Sequence, residues 1–344
     1  MEVINRPDYT EKVKKLFGKG FIIALTGQRR VGKSFIMRQV IKELSQDSAA
    51  HVIYIDKDNE EFSFVQSHEE LTKYVKSNLL SNKRNYLFVD EIQNIKEFEV
   101  SLRSFHTNDE CEMVITGSNA KMLSSELSTY LSGRCVEYHI QSLDYREFLT
   151  FHRLSDNNQS LHSYLKYGGL PQLHRIGLEE TELVDDYLKS VYHTIVLKDV
   201  IEREEIRNVP LLKNLIRFVG DNVGKVFSAS SIVKYLKSQQ VDSSTRVILN
   251  YLEYLCNAYI INRVNRYDIH GKRLFELNDK FYFEDIGIRN SLVASGRSSS
   301  MEKVIENVIY LHLVRLGYEV TVGQLQKAEI DFVAQKKDET VYIQ

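Results

Sequence analysis

The eight residues Gly27-Gln28-Arg29-Arg30-Val31-Gly32-Lys33-Ser34 satisfy G-x-x-x-x-G-K-[ST] at every specified position. Each residue type has a task at that spacing. The glycines let a loop wrap backbone N–H groups around phosphate oxygens, the Lys33 ammonium reaches the β- and γ-phosphates, and the Ser34 hydroxyl is a ligand for Mg²⁺. The set expected to hold the nucleotide phosphates is therefore Gly27, Gln28, Arg29, Arg30, Val31, Gly32, Lys33, Ser34 and Phe35. Downstream, Tyr86-Leu87-Phe88-Val89-Asp90-Glu91 is an apolar run that delivers two carboxylates at its end. Asp90 would hold Mg²⁺ through its water shell, and Glu91 would polarise an attacking water. Acids also cap strand ends, a reading weakened here by the phosphate loop upstream. A third run, 113–117, ends in Ser118-Asn119. A polar side chain there either hydrogen-bonds the γ-phosphate or the lytic water, or caps the helix that begins at Ala120. Arg134, in the turn Leu131-Ser132-Gly133-Arg134, is expected near the same sheet edge. It either neutralises transition-state charge as an arginine finger or pairs with a surface acid; Arg29 and Arg30 face the same choice. The catalytic set is then Lys33, Glu91, Asn119 and Arg134, with Ser34 and Asp90 on the metal.

These residues need particular elements behind them. Short β-rich runs at 21–26, 51–56, 86–90, 113–117 and 135–140 alternate with amphipathic stretches. Strands that apolar are covered on both faces, which predicts a parallel α/β sheet. The phosphate loop then lies between the first strand and a helix over 34–44, whose N-terminus adds its dipole to the anion site. Residues 144–205 read as helical, broken at Gly168-Gly169-Leu170-Pro171. From Pro210, three apolar stripes at helical spacing precede strand-like pieces at 259–264 and 274–277, which predicts a winged helix-turn-helix over 210–291. A Ser- and Gly-rich stretch, 292–300, reads as a linker. A helix over 302–316 and strands at 319–322, 330–334 and from 340 follow, and an α/β unit that stops at Gln344 is expected to be incomplete. The domains are thus 1–150, 151–209, 210–291 and 301–344.

Composition narrows the function classes. With 344 residues and a net charge of −2, the chain is too long for one ordinary core and is not a globally basic nucleic-acid binder. Only residues 206–300 are basic, with 14 basic against 8 acidic side chains. Cys111, Cys135 and Cys256 are far apart, and the ten histidines have no metal-ligand spacing, which excludes a disulfide scaffold and a zinc module. No stretch approaches eighteen uninterrupted apolar residues, and the first sixteen residues hold no signal-peptide core. A cytoplasmic protein without a membrane span is expected.

The double-arginine phosphate loop, the Val89-Asp90-Glu91 strand end, Thr116-Gly117-Ser118-Asn119, Leu131-Ser132-Gly133-Arg134, Tyr145-Arg146-Glu147-Phe148 and Gly168-Gly169-x-Pro171 resemble the AAA+-type ATPases of bacteria and archaea. These carry a winged helix and a C-terminal restriction-endonuclease-like domain. Later segments, including Arg266-Tyr267-Asp268, Gly271-Lys272-Arg273, Glu306-Asn307 and Glu329-Ile330-Asp331-Phe332, extend the resemblance over essentially the whole chain. It implies an ASCE-class P-loop core of strand order 5-1-4-3-2 that binds and hydrolyses ATP. The winged helix could meet DNA with Ser244, Thr245, Arg246 and Asn250 of its third helix and Arg266, Lys272 and Arg273 of its wing, or act as a lever on the nucleotide domain. In the tail, Glu306, Asp331 and Gln344 stand where a metal-dependent nuclease has its acids, but the chain ends before the lysine position, so a structural or partner-binding domain is expected over a live nuclease. The overall expectation is an ATP-driven conformational switch, with a DNA contact or a protein client and an oligomer as open partners. The alternatives are a nucleotide-gated DNA-binding protein and an ATP-licensed nuclease.

Overall fold

The computed structural model describes residues 4–120, 131, 133–268, 279–293, 301–325 and 328–344. The chain divides into two compact units, Met1–Ile140 and Gln141–Gln344.

In the first unit, α1 (Pro7–Lys14), β1 (Ile22–Thr26), α2 (Lys33–Leu44), β2 (Ala50–Asp56), α3 (His68–Asn78), β3 (Arg84–Asp90), α4 (Phe98–Thr107), β4 (Glu112–Gly117) and β5 (Cys135–His139) follow in order. The five strands form one parallel sheet of order β2-β3-β4-β1-β5, the P-loop NTPase arrangement expected. All five residues of β1 are buried, as a central strand covered on both faces requires. On one face Ile53, Ile55, Leu87, Val89, Met113 and Ile115 pack with Leu71 and Val75 of α3 and Leu102 and Phe105 of α4. Register fixes the chemistry: Thr26 lies beside Gly117 and Asp56 beside Asp90, so every functional strand end points to the same edge.

The second unit begins with helices Tyr145–His152, Asn158–Tyr167, Leu173–Ile176 and Thr181–Thr194, the last continuing in wider π-type turns over Ile195–Glu202. The expected break at Gly168-Gly169 is made by close backbone approach. Gly168 has φ +74°, and a Cβ on it would come within 2.5 Å of Asp285 Oδ1 and of the Gly287 nitrogen. The Gly169 N–H donates to Asp285 Oδ2 at 2.9 Å, and the other oxygen of this buried carboxylate caps the helix Ile286–Leu292.

Helices Val209–Asp221, Ala229–Ser238 and Thr245–Asn257 carry the three apolar stripes. Asn208, Ser228 and Ser244 cap them, each accepting a backbone N–H of the first turn. β6 (Ile261–Val264) then pairs antiparallel with β8 (Lys280–Phe283). The described strand opposite β6 is 280–283, obscured in the sequence by the charged Asp279, Lys280, Glu284 and Asp285 around it. The expected piece 274–277, with Lys272 and Arg273, lies outside the described residues, as does most of the expected linker. β7 (Arg266–Asp268) instead runs parallel to β9 (Glu319–Leu325), and β10 (Ala328–Lys336) and β11 (Glu339–Ile343) complete a four-stranded sheet of order β11-β10-β9-β7. The helix Met301–Arg315 precedes it. Among the described residues no helix is long and apolar enough to cross a membrane.

Candidate nucleotide site

The phosphate loop is built by conformations that its sequence permits. Gly27 has φ +134° and Gly32 φ +101°, both beyond what side chains tolerate. A Cβ on Gly27 would run into the Ile140 carbonyl oxygen, so the loop turns hard against the end of the sheet. Arg30 sits in the left-handed region at φ 71° with its side chain exposed; Arg29 is half-buried. Gly32 is the residue before α2, and no side chain caps the helix there. Phe35, the residue after the motif and also expected in the ligand set, spends its N–H on the Gly32 carbonyl at 3.1 Å.

Lys33 is buried, and its ammonium donates to the Gly27 and Gln28 carbonyls, each at 2.9 Å. These bonds hold the charge at the centre of the loop. Val31, fully buried, offers its carbonyl to the Arg6 guanidinium at 3.0 Å, and Arg6 also lies over the Tyr9 ring of α1. Arg6 thus braces the loop from behind.

The carboxylates stand at the end of β3. Asp90 is 2% exposed and accepts hydrogen bonds from the Thr116 and Ser34 hydroxyls. Burial lifts its pKa above the usual aspartate range, against the lowering effect of those two bonds. Glu91 adopts φ 53°, a left-handed conformation that turns the chain out of the strand. Its N–H donates to Thr116 Oγ1 at 2.9 Å; its carboxylate accepts from the Gln93 amide and, at 3.4 Å, from the Ser118 hydroxyl. Ser118 and Asn119 are both buried, so Ser118 belongs to the carboxylate network whatever capping it also does. On the outer side, the Tyr54 hydroxyl shares its one proton between Asp56 at 3.2 Å and Asp90 at 3.4 Å, while Arg38 of α2 pairs with Asp56 at 3.0 Å. Burial pushes the Tyr54 phenol up to about 12.

Lys33, Ser34, Asp90, Glu91, Ser118 and Asn119 therefore come together at one end of the sheet. Arg134 does not join them. Its carbonyl accepts from Ile22 N at 2.8 Å, at the start of β1, and Ile22 pairs with Cys135. The loop begins after Thr26, five residues on, or about 16 Å along a strand. Arg134 is on the opposite edge of the sheet from the one expected, because a turn that enters a parallel strand lies at the end away from the ligands. Sequence reasoning also missed Arg6, Tyr54, Gln93 and the bridging role of Thr116. Arg38, one turn after Ser34 on the same helix, was the available signal for the outer pair.

The donor set fits a nucleotide with Mg²⁺: a glycine cradle that excludes a Cβ, a buried ammonium, and hydroxyl and carboxylate oxygens of the hard type Mg²⁺ takes. Residues 19–149 match the AAA domain family, and residues 158–299 match a domain of unknown function (DUF8612). A Walker-type ATPase of Pyrococcus abyssi has a similar fold, with a TM-score of 0.57 at 15% identity over 84% of this chain and 96% of that one. The first unit thus has a P-loop NTPase fold and carries the match to the AAA domain family. An uncharacterised protein of Haemophilus influenzae is 33% identical over 99% of this chain and 86% of its own length. One of Methanocaldococcus jannaschii, MJ1544, is 28% identical over 86% of this chain and 67% of its own. The chain belongs to the family of the H. influenzae protein.

Proposed function

We propose that the protein binds ATP with Mg²⁺ and hydrolyses it, and that this cycle drives a conformational switch in the second unit. The observation that carries this reading is the pair of carboxylates at the end of β3. Thr116 bridges the Asp90 side chain and the Glu91 backbone, and Gln93 and Ser118 hold the Glu91 carboxylate. In this reading the loop of residues 27–32 and Lys33 bind the β- and γ-phosphates, and Lys33 exchanges its carbonyl partners for phosphate oxygens. Ser34 and Asp90 hold Mg²⁺, which neutralises phosphate charge when bound. Glu91 orients a water in line with the γ-phosphate and takes up its proton, while Asn119 is a donor to the same region. In this reading Arg134, at the far edge of the sheet, acts in the site of a neighbouring subunit.

For the second unit we propose a winged helix over 210–291 and a nuclease-like tail, in a cytoplasmic protein. A DNA-binding reading is favoured by one observation: Ser244, Thr245 and Arg246 are exposed at the start of the helix Thr245–Asn257, within the basic block.

Phosphate release from ATP and Mg²⁺ by wild type and Glu91→Gln, with and without duplex DNA, tests both readings. Hydrolysis is expected to fall by about 10²-fold or more in Glu91→Gln with nucleotide affinity kept. Wild type that binds ATP without turnover under any of these conditions would end the enzyme reading, and turnover indifferent to DNA would weaken the DNA reading.

A further inference from the structure

The second unit buries a lysine among acids. Lys280 opens β8, whose four residues are all buried, and it is itself 1% exposed. Successive side chains of a strand alternate, so Lys280 and Tyr282 share one face of β8 while Phe281 and Phe283 take the other. On that face the Lys280 ammonium meets Glu329 Oε1 at 2.8 Å, Glu306 Oε1 at 2.9 Å and Asp331 Oδ1 at 3.3 Å. Two of the three acceptors lie on β10 and one on the helix Met301–Arg315.

We propose that Lys280 is a built-in cation that fills this carboxylate cluster and clasps β8 to the helix Met301–Arg315 and to β10, closing the cluster to divalent metal. The stoichiometry carries the argument. An ammonium has three N–H donors, and three carboxylate oxygens stand at hydrogen-bond distance, so none is left to polarise a water or a phosphate. Glu306 Oε1 is spent as well, since it also accepts the Tyr282 hydroxyl at 2.6 Å. Gly224 closes the other side of Glu306: at φ +71°, a Cβ there would come within 2.6 Å of Glu306 Oε2.

The surroundings continue the clasp. Asn307, fully buried and next to Glu306, accepts the Phe283 N–H and donates to the Phe283 carbonyl, both at 2.8 Å, pairing its side chain with the last residue of β8. The Tyr282 ring stacks on Tyr310 one helical turn further on, at 4.7 Å between centroids, and meets Phe332 of β10 at 5.6 Å. Burial pushes the Lys280 pKa down, but its hydrogen bonds and ion pairs with Glu329 and Glu306 outweigh that and hold it above the ordinary lysine value. A buried charge of this kind is costly to uncover, because removing it leaves three acids facing one another.

The reading is independent of ATP hydrolysis and is tested without nucleotide. Full-length chains all carrying Asp90→Asn, so that the first unit adds no metal site of its own, are melted in EDTA and in millimolar Mn²⁺, and Mn²⁺ binding is followed by electron spin resonance. With Lys280 present, Mn²⁺ is expected neither to bind nor to shift the melting temperature. Lys280→Met lowers that temperature by several degrees, and Mn²⁺ restores it by occupying the vacated acids. If Lys280→Met does not fold, Glu306→Gln replaces it: this keeps the side-chain shape and an acceptor for Tyr282, and it lowers the melting temperature by withdrawing one charge. Stoichiometric Mn²⁺ binding with Lys280 in place would overturn the proposal, as would a variant that melts with its parent. Mn²⁺-dependent DNA cleavage by wild type that Asp331→Asn abolishes would do so too.

Discussion

Thr116 gives the sharpest test of the carboxylate architecture. Its single hydroxyl accepts the Glu91 N–H and donates to Asp90, and the residue is fully buried at the end of β4. Thr116→Val keeps the shape and deletes only that oxygen. The Glu91 N–H is then buried without this acceptor, which costs roughly 1–3 kcal/mol, and Asp90 loses a charge-assisted bond of similar size. Because the two losses share one atom they do not add fully, and a total of about 2–4 kcal/mol is expected. At about 2–4 °C per kcal/mol for a domain of this size, the first unit should melt roughly 5–15 °C lower. Thr116→Ser keeps the hydroxyl and sheds one methyl, at a cost of about 1 kcal/mol. Activity adds a second readout. The Thr116 bond holds the Asp90 pKa down against burial, so its loss raises that pKa further and moves the acid limb of Mg²⁺-dependent hydrolysis to higher pH. Urea titrations and pH-rate profiles of the three proteins check this. A Thr116→Val protein within about 0.5 kcal/mol of wild type, or a Ser variant as damaged as the Val variant, would refute the bridging role.

Gly27→Ala forces a Cβ into the Ile140 carbonyl at a φ reserved for glycine, and ATP affinity measured by calorimetry should fall at least tenfold; unchanged affinity would mean the loop is not held there. Arg134→Ala should leave ATP affinity within threefold, since the residue sits at the far edge of the sheet; tenfold weaker binding would contradict that placement. His152 is packed on Phe148 at 4.3 Å, and burial, aided by His174, depresses its pKa to about 4. Its neutral form is favoured in the folded chain, so the stability it contributes is full above the ordinary histidine value of 6.5 and is lost as pH falls toward about 4. Thermal melts of His152→Leu across that window should show a shallower loss than wild type, and parallel curves would sink the assignment.

The nucleotide end was legible because its code is local. Eight consecutive residues specify the phosphate loop, and apolar runs that end in Asp90-Glu91 and Ser118-Asn119 announce both the strands and what they deliver. Arg134 was misplaced because a motif names a residue without saying which end of a strand it occupies. Cys135 opens β5 beside Ile22, not beside Thr26, and that polarity emerges only once strands are paired. Thr116 and Gln93 were hidden for a different reason: each acts through partners about 25 or more residues away or around a turn, and no spacing rule encodes that. The same blindness explains β8. A lysine at the head of an aromatic run reads as a strand's solvent edge, since a buried charge is costly on its own. Its three acids lie 26, 49 and 51 residues downstream in the sequence, at Glu306, Glu329 and Asp331. Burial became affordable only with all three assembled, so the strand and its ion cluster must form together. Sequence patterns reveal what a segment can do alone; β8 is stable only as part of a set, and sets are what a linear reading loses first.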